Sequence, residues 1–275
     1  MTADTDSLEN IVPSFRLDGR IAVLTGGAGG LSLTVSKALV AQGAQVALVD
    51  LNLETCKAAA DELVQWGKTH GFEPVVSAWS CDVGNAQNVQ DVVKQIKHHH
   101  GSPADLLIHT AGYCQNFPAL EYPDQKAQDL VNVNLLGSYY ISKYIAKELV
   151  ESGKVGSLIL IGSMSGVIVN DPQPQVAYNM SKAGVIHLVK SLACEWAKYG
   201  IRVNCLSPGY ILTPLTKHVI GSNTELKNTW ESKVPMHRMA EPKEFVGSLL
   251  YLASSTASSY TTGENLVVDG GYQCW

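Results

Sequence analysis

The sequence predicts an α/β protein: a Rossmann-type, doubly wound sheet of seven parallel strands with helices on both faces, in a single domain. Two observations predict it. Short apolar runs alternate with amphipathic segments along the 275 residues, and a glycine-rich turn follows the first run directly. Continuous Val, Ile and Leu runs mark strands buried on both faces, and their alternation with helices marks parallel βαβ units. Right-handed crossovers leave such a sheet little topological freedom.

The runs that predict strands are Ile21–Leu24, Val46–Val49, Val75–Trp79, Leu106–Ile108, Ser157–Ile161, Ile201–Leu206 and Asn265–Val268. Between them, helices are predicted at Leu31–Gln42, Leu53–Trp66, Gln87–His100, Gln125–Ser152, Val176–Tyr199 and Pro242–Ala253. Residues 1–15 are polar and read as an N-terminal extension to a domain spanning 16–275. The stretch Thr213–Met239 is longer than a simple connection and is a candidate substrate lid.

Composition narrows the function classes. With 45% hydrophobic and 16% charged residues the chain can bury a large core. A net charge of −5 argues against nucleic acid or an anionic membrane as partner, since either favours a basic patch. The first fifteen residues lack the features of a secretory or mitochondrial leader, and no apolar stretch is long enough to span a membrane, so the cytosol is expected. The six cysteines form no CxxC pair and are expected to be buried free thiols. The run His98-His99-His100 points in three directions from a helix and is expected to be a solvated helix end, not a metal site.

The turn Thr25-Gly26-Gly27-Ala28-Gly29-Gly30-Leu31-Ser32 lets the backbone bend sharply and bring a pyrophosphate to the N-terminus of the next helix. Asp50 ends the second run. A carboxylate there can accept hydrogen bonds from an adenosine ribose and repel a 2′-phosphate, which favours NAD over NADP; the alternative is a helix cap ahead of Leu53. Asp82, after the third run, is placed for the adenine amine or, again, for a cap.

A Tyr and a Lys four apart on a helix share one face, and an adjacent cation lowers a phenol pKa. Three pairs have this spacing: Tyr122/Lys126, Tyr139/Lys143 and Tyr178/Lys182. The third follows the strand ending at Ile161-Gly162-Ser163, near the strand carboxyl ends where open α/β sheets place ligands. The first lies in a predicted loop and the second in mid-helix, where structural roles are expected.

Taken in order, Thr25-Gly26-x-x-x-Gly30, Asn134, Ser163 and Tyr178-x-x-x-Lys182 resemble the short-chain dehydrogenase/reductase family. Pro208-Gly209 and Val268-Asp269-Gly270-Gly271 agree with it, so the resemblance covers essentially the whole chain. It implies a catalytic tetrad in which Tyr178 removes a hydroxyl proton and Ser163 holds the same substrate oxygen. Lys182 would lower the Tyr pKa and bind the nicotinamide ribose, and Asn134 would hold a relay water. A buried amide satisfying the backbone is the alternative for Asn134. Gly26, Gly30, Leu31, Asp50, Asp82, Val83, Ala111, Gly112, Pro208, Ile211 and Thr213, with Tyr178 and Lys182, would bind NAD. A homotetramer is the usual assembly that the resemblance implies.

Three departures stand out. Ser32 replaces a usual glycine, Thr110 replaces the Asn of an Asn-Ala-Gly, and Ser165 competes with Ser163 for the catalytic hydroxyl. Ser163 is preferred because it directly ends the strand. Between Ser163 and Tyr178 lie Asn170, Asp171, Gln173 and Gln175, groups suited either to substrate hydroxyls or to a polar surface loop. Asn170 and Gln173 are the candidate substrate contacts beside Ser163 and Tyr178. This segment, with Val12–Arg20 and Cys274-Trp275, resembles fungal polyol-oxidising members of the family, implying a polyol substrate oxidised to a ketose. Two rival readings are an NADP-linked reductase of small ketones and a non-catalytic protein that senses NAD.

Overall fold

A computed structural model describes residues 11–213, 216–217, 220 and 224–274. Most of the expected N-terminal extension, parts of the expected lid and Trp275 lie outside the described residues. The strands are β1 Ile21–Thr25, β2 Gln45–Asp50, β3 Val76–Ser80, β4 Leu106–His109, β5 Gly156–Ile161, β6 Ile201–Pro208 and β7 Asn265–Val268. They form a seven-stranded sheet in the order β3-β2-β1-β4-β5-β6-β7, with every pairing parallel. The helices are α1 Gly30–Ala41, α2 Leu53–Thr69, α3 Ala86–His100, α4 Asp124–Val131, α5 Gly137–Glu151, α6 Val176–Trp196, α7 Thr224–Lys233 and α8 Val246–Ala253.

Alternation along each strand divides the core in two. Val23, Leu107, Leu158 and Cys205 face α3, α5 and α6, where they meet Val92, Ile145 and Val189. Their neighbours Leu24, Ile108, Ile159 and Leu206 face α1, α2 and α8, meeting Leu39, Leu63 and the fully buried Phe245. Chain order reverses between β1 and β4, so their carboxyl ends splay and leave a crevice where ligands of such sheets bind.

Three local features differ from the sequence expectation. The helix predicted over Gln125–Ser152 is broken by a π-turn at Asn132–Leu136, in which the Gly137 N–H bonds back to the Asn132 carbonyl. The histidine run is not simply solvated. His100 is half-buried and bonds Gln45 Oε1 at 2.8 Å and Ser77 Oγ at 2.9 Å, tying α3 to β2 and β3, while His99 stands edge-on to Trp79. Of the cysteines, Cys56, Cys81 and Cys205 are buried as expected, whereas Cys114, Cys194 and Cys274 are exposed. No helix among the described residues is long and apolar enough to cross a membrane.

Candidate active site

The glycine turn leads from β1 into α1 at the crevice. Gly26 holds φ at +63°, and a Cβ there would stand 2.9 Å from Thr110 Oγ1, so glycine is required on both counts. Gly29 caps α1 without a side chain, which leaves first-turn N–H groups open for an anion. The groove beyond has a volume of about 760 Å³, and its walls include Gly26, Gly30, Leu31, Asp50, Asp82, Val83, Ala111, Gly112 and Thr213. Pro208 and Ile211 line the adjoining part of the cleft with Ser163, Tyr178 and Lys182. Every sequence-predicted coenzyme residue therefore faces one continuous cleft, and a dinucleotide fits its glycine cradle and helix terminus.

Asp50 does not cap α2. That role belongs to Asn52, which accepts from the Glu54 and Thr55 N–H groups. Asp50 Oδ2 instead accepts the Ala28 N–H at 3.1 Å, which fixes the carboxylate against the glycine turn. Asn85 caps α3, and Asp82 accepts the Gly84 N–H at 2.9 Å in a local turn at the groove wall. The Ser32 and Thr110 departures meet each other: their hydroxyls are 2.7 Å apart. Because Thr110 donates to the Thr25 carbonyl at 2.6 Å, Ser32 must be the donor in the shared bond. The pair ties the start of α1 to the end of β4.

Tyr178 and Lys182 lie on successive turns of α6, with the ammonium 5.7 Å from the ring centroid. Lys182 Nζ donates to the Ile161 carbonyl at 2.7 Å, which fixes the ammonium against the end of β5. The expected acid phenol is not what the chain alone produces. Burial pushes Tyr178 up to about 12, against a hydrogen bond with Ser163 that pulls it down. Burial also brings Lys182 down to about 8. Both shifts disfavour charge in a dry site. The other two Tyr/Lys pairs are structural: Lys126 sits over Phe117, and Lys143 packs over the Tyr139 and Tyr144 rings on α5.

Asn134, in the π-turn, is buried, and three of its amide's four hydrogen-bonding sites are engaged. Its Oδ1 accepts from the Tyr113 N–H at 3.0 Å, and its Nδ2 donates to the Tyr113 carbonyl at 2.9 Å and to Ser181 Oγ at 3.1 Å. This arrangement matches the backbone-satisfying alternative for the amide. It braces Gly112, where a Cβ would stand 3.0 Å from Asn134 Oδ1 and 3.8 Å from Lys182 Nζ. Beneath the site, His109 ends β4 with its Nδ1 2.7 Å from Thr25 Oγ1. Its Nε2 is buried without a partner among the described residues, and burial, aided by Lys182, pushes its pKa down to about 3.

Asn170 and Gln173 do not point at Tyr178. Both donate to the Tyr210 hydroxyl, at 3.2 and 2.9 Å. Tyr210 in turn stacks on Trp230 of α7, with centroids 4.4 Å apart, and Trp230 Nε1 donates to Gln173 Oε1 at 3.0 Å. Asp171 pairs with Lys233 of the same helix. The loop after β5 is thus joined to α7 by amides, a phenol and an indole. Sequence reasoning missed Tyr210, Trp230 and Cys114 as parts of this region. Cys114 lines the cleft beside Tyr178 and donates to Gln175 Oε1 at 3.6 Å. The Tyr210 position, next to Pro208-Gly209, was the one available signal.

Residues 26–273 match the family model described as Enoyl-(Acyl carrier protein) reductase. The chain is 64% identical to a D-arabinitol 2-dehydrogenase [ribulose-forming] of Scheffersomyces stipitis, over 98% of this chain and 99% of that one. It is 50% identical to an NADH-dependent L-xylulose reductase of Ambrosiozyma monospora, over 98% of this chain and all of that one. A crystal structure of a short-chain type dehydrogenase/reductase from Mycobacterium marinum superposes with a TM-score of 0.87 at 36% identity, covering 95% of this chain and 98% of the other.

Proposed function

Because this chain belongs to the short-chain dehydrogenase/reductase family, we propose that it is an NAD-dependent polyol dehydrogenase, reversibly oxidising D-arabinitol to D-ribulose with Tyr178 as general base. The observation that carries the reading is the convergence of Tyr178, Ser163 and Lys182 at one end of the nucleotide groove. The 64% identical relative supplies the substrate.

The glycine turn, Asp50 and Lys182 would hold the coenzyme, which would supply the hydride acceptor for the carbinol carbon. Tyr178, as phenolate, takes the proton from the carbinol hydroxyl as the carbonyl forms. Ser163 holds the same oxygen, and Lys182, anchored on Ile161, presents its charge beside the phenol. With burial holding Tyr178 protonated up to about 12, oxidation should speed up as pH rises from neutral, and ketose reduction should be favoured at lower pH. Asp50, fixed on the glycine turn and facing the groove, supports NAD over NADP. Assembly as a homotetramer and a cytosolic location belong to the same proposal.

The test is an NAD/NADP by polyol matrix with product identification. D-arabinitol with NAD should give D-ribulose. Tyr178→Phe should lose about 10²- to 10⁴-fold in kcat while still binding NADH by fluorescence. Most of the wild-type rate surviving in that variant would end the mechanism, and tight NAD binding with no turnover on any polyol would favour the sensing protein.

A further inference from the structure

The loop that follows Ser163 forms a hydrogen-bond chain whose direction can be assigned. Ser165 Oγ donates to Asn170 Oδ1, and Asn170 Nδ2 donates to the Tyr210 hydroxyl. Gln175 Nε2 shares its two hydrogens among Asn179 Oδ1 at 2.8 Å, Asn170 Oδ1 at 3.1 Å and Ser165 Oγ at 3.1 Å. With its own hydrogen committed to Asn170, Ser165 can only accept from Ser163, 3.0 Å away. Ser163 also accepts the Ser165 backbone N–H at 3.1 Å. While Tyr178 is neutral the Ser163 hydroxyl thus spends its one hydrogen on Ser165, and an anion beside it, the Tyr178 phenolate included, competes for that hydrogen.

That hydrogen is free to move at little cost. When it leaves, Ser165 Oγ still donates to Asn170 Oδ1, so it keeps a hydrogen-bond partner. Ser165, Asn170 and Gln175 are all buried.

Resting on the reading of Ser163 as the residue that holds the substrate oxygen, we propose that Ser165 is a positioning residue: with Asn170 and Gln175 it parks the Ser163 hydroxyl hydrogen and yields it to the reacting oxygen as negative charge develops there. No covalent bond changes in this step. One hydroxyl rotates, from a neutral serine acceptor to an oxyanion or carbonyl, and its hydrogen bond strengthens with the charge.

The proposal predicts that removing the parking acceptor helps any anion beside Ser163. In Ser165→Ala the hydrogen has no competing partner. Ultraviolet titration of the coenzyme-free protein at 295 nm should then show one phenolate appearing earlier than in wild type, by up to about one pH unit, and Tyr178→Phe in the same background should abolish the difference. Ketose KM should fall two- to fivefold, because the carbonyl no longer competes with Ser165. Ser165→Thr, which restores the hydroxyl, should return both to wild type. Asn170→Ala should act in the same direction as Ser165→Ala. It frees the Ser165 hydrogen to point back at Ser163, and combining the two should add nothing. If Ser165→Ala fails to fold, Asn170→Ala carries the test. An unchanged or later phenolate titration, or a raised ketose KM in Asn170→Ala as expected of a direct substrate contact, overturns it. The titration needs no turnover, so it stands apart from the polyol reading, whose failure would appear as an inactive wild type.

Discussion

His109 gives the sharpest stability prediction. Its ring is 2% exposed, it bonds Thr25 through Nδ1, and its pKa is pushed from 6.5 to about 3, first by burial and then by the Lys182 charge. A histidine whose folded pKa is depressed must enter the fold neutral. The unfolded chain binds the proton more readily, so the contribution is complete above about pH 6.5 and is lost as pH falls from there toward 3. Integrating between those limits, the fold should lose on the order of 2 to 3 kcal/mol between pH 7 and pH 4.5 through this residue alone. Replacing it by His109→Asn leaves a side chain able to bond Thr25 but with nothing to titrate. The variant should be less stable at pH 7, from the lost ring volume, yet its urea-derived stability should fall less steeply with acid. The difference between the two curves should close by on the order of 2 to 3 kcal/mol over that interval. Parallel curves for wild type and variant would refute the assignment of this buried ring as a neutral base.

Two further outcomes follow from other contacts. Asp50→Ser removes the carboxylate held by Ala28; NADP KM should fall at least about tenfold, which amounts to removing a single like-charge clash at the ribose, and steady-state kinetics with both coenzymes would expose an unchanged preference as a failure. The Ser32–Thr110 bond should show as a coupling of about 1 kcal/mol in a double-mutant cycle of Ser32→Ala and Thr110→Val read by urea denaturation; strictly additive losses would deny that the two departures compensate one another.

Much of the fold is legible in the sequence because a buried parallel strand writes itself as an unbroken apolar run. Each of the seven runs coincides with a strand to within two residues at either end. The glycine turn and Tyr178/Lys182 were legible for a similar reason, since their chemistry depends on near neighbours in the chain. What sequence could not reveal depends on partners far away. The π-turn at Asn132–Leu136 is held by an amide that reaches Tyr113 and Ser181, 21 and 47 residues distant, whereas the helical periodicity runs through it undisturbed. Composition marked Asn170 and Gln173 as polar, but their commitment to Tyr210 rests on the crossing of two loops nearly forty residues apart. Ser32 and Thr110 looked like two separate lapses from a pattern until their hydroxyls were seen to meet across 78 residues. The phenol was expected to be acidified by its lysine; depth of burial, invisible in a spacing, dominates instead.

The stack of Tyr210 on Trp230 has a mechanical consequence. One aromatic ring is at once the floor under α7 and the terminal acceptor for the amides of the loop after β5. Any displacement of that helix must slide the indole off the phenol and tug on Gln173 along the way. On the proposed reading of Ser163, α7 and the reacting hydroxyl would be linked through that ring.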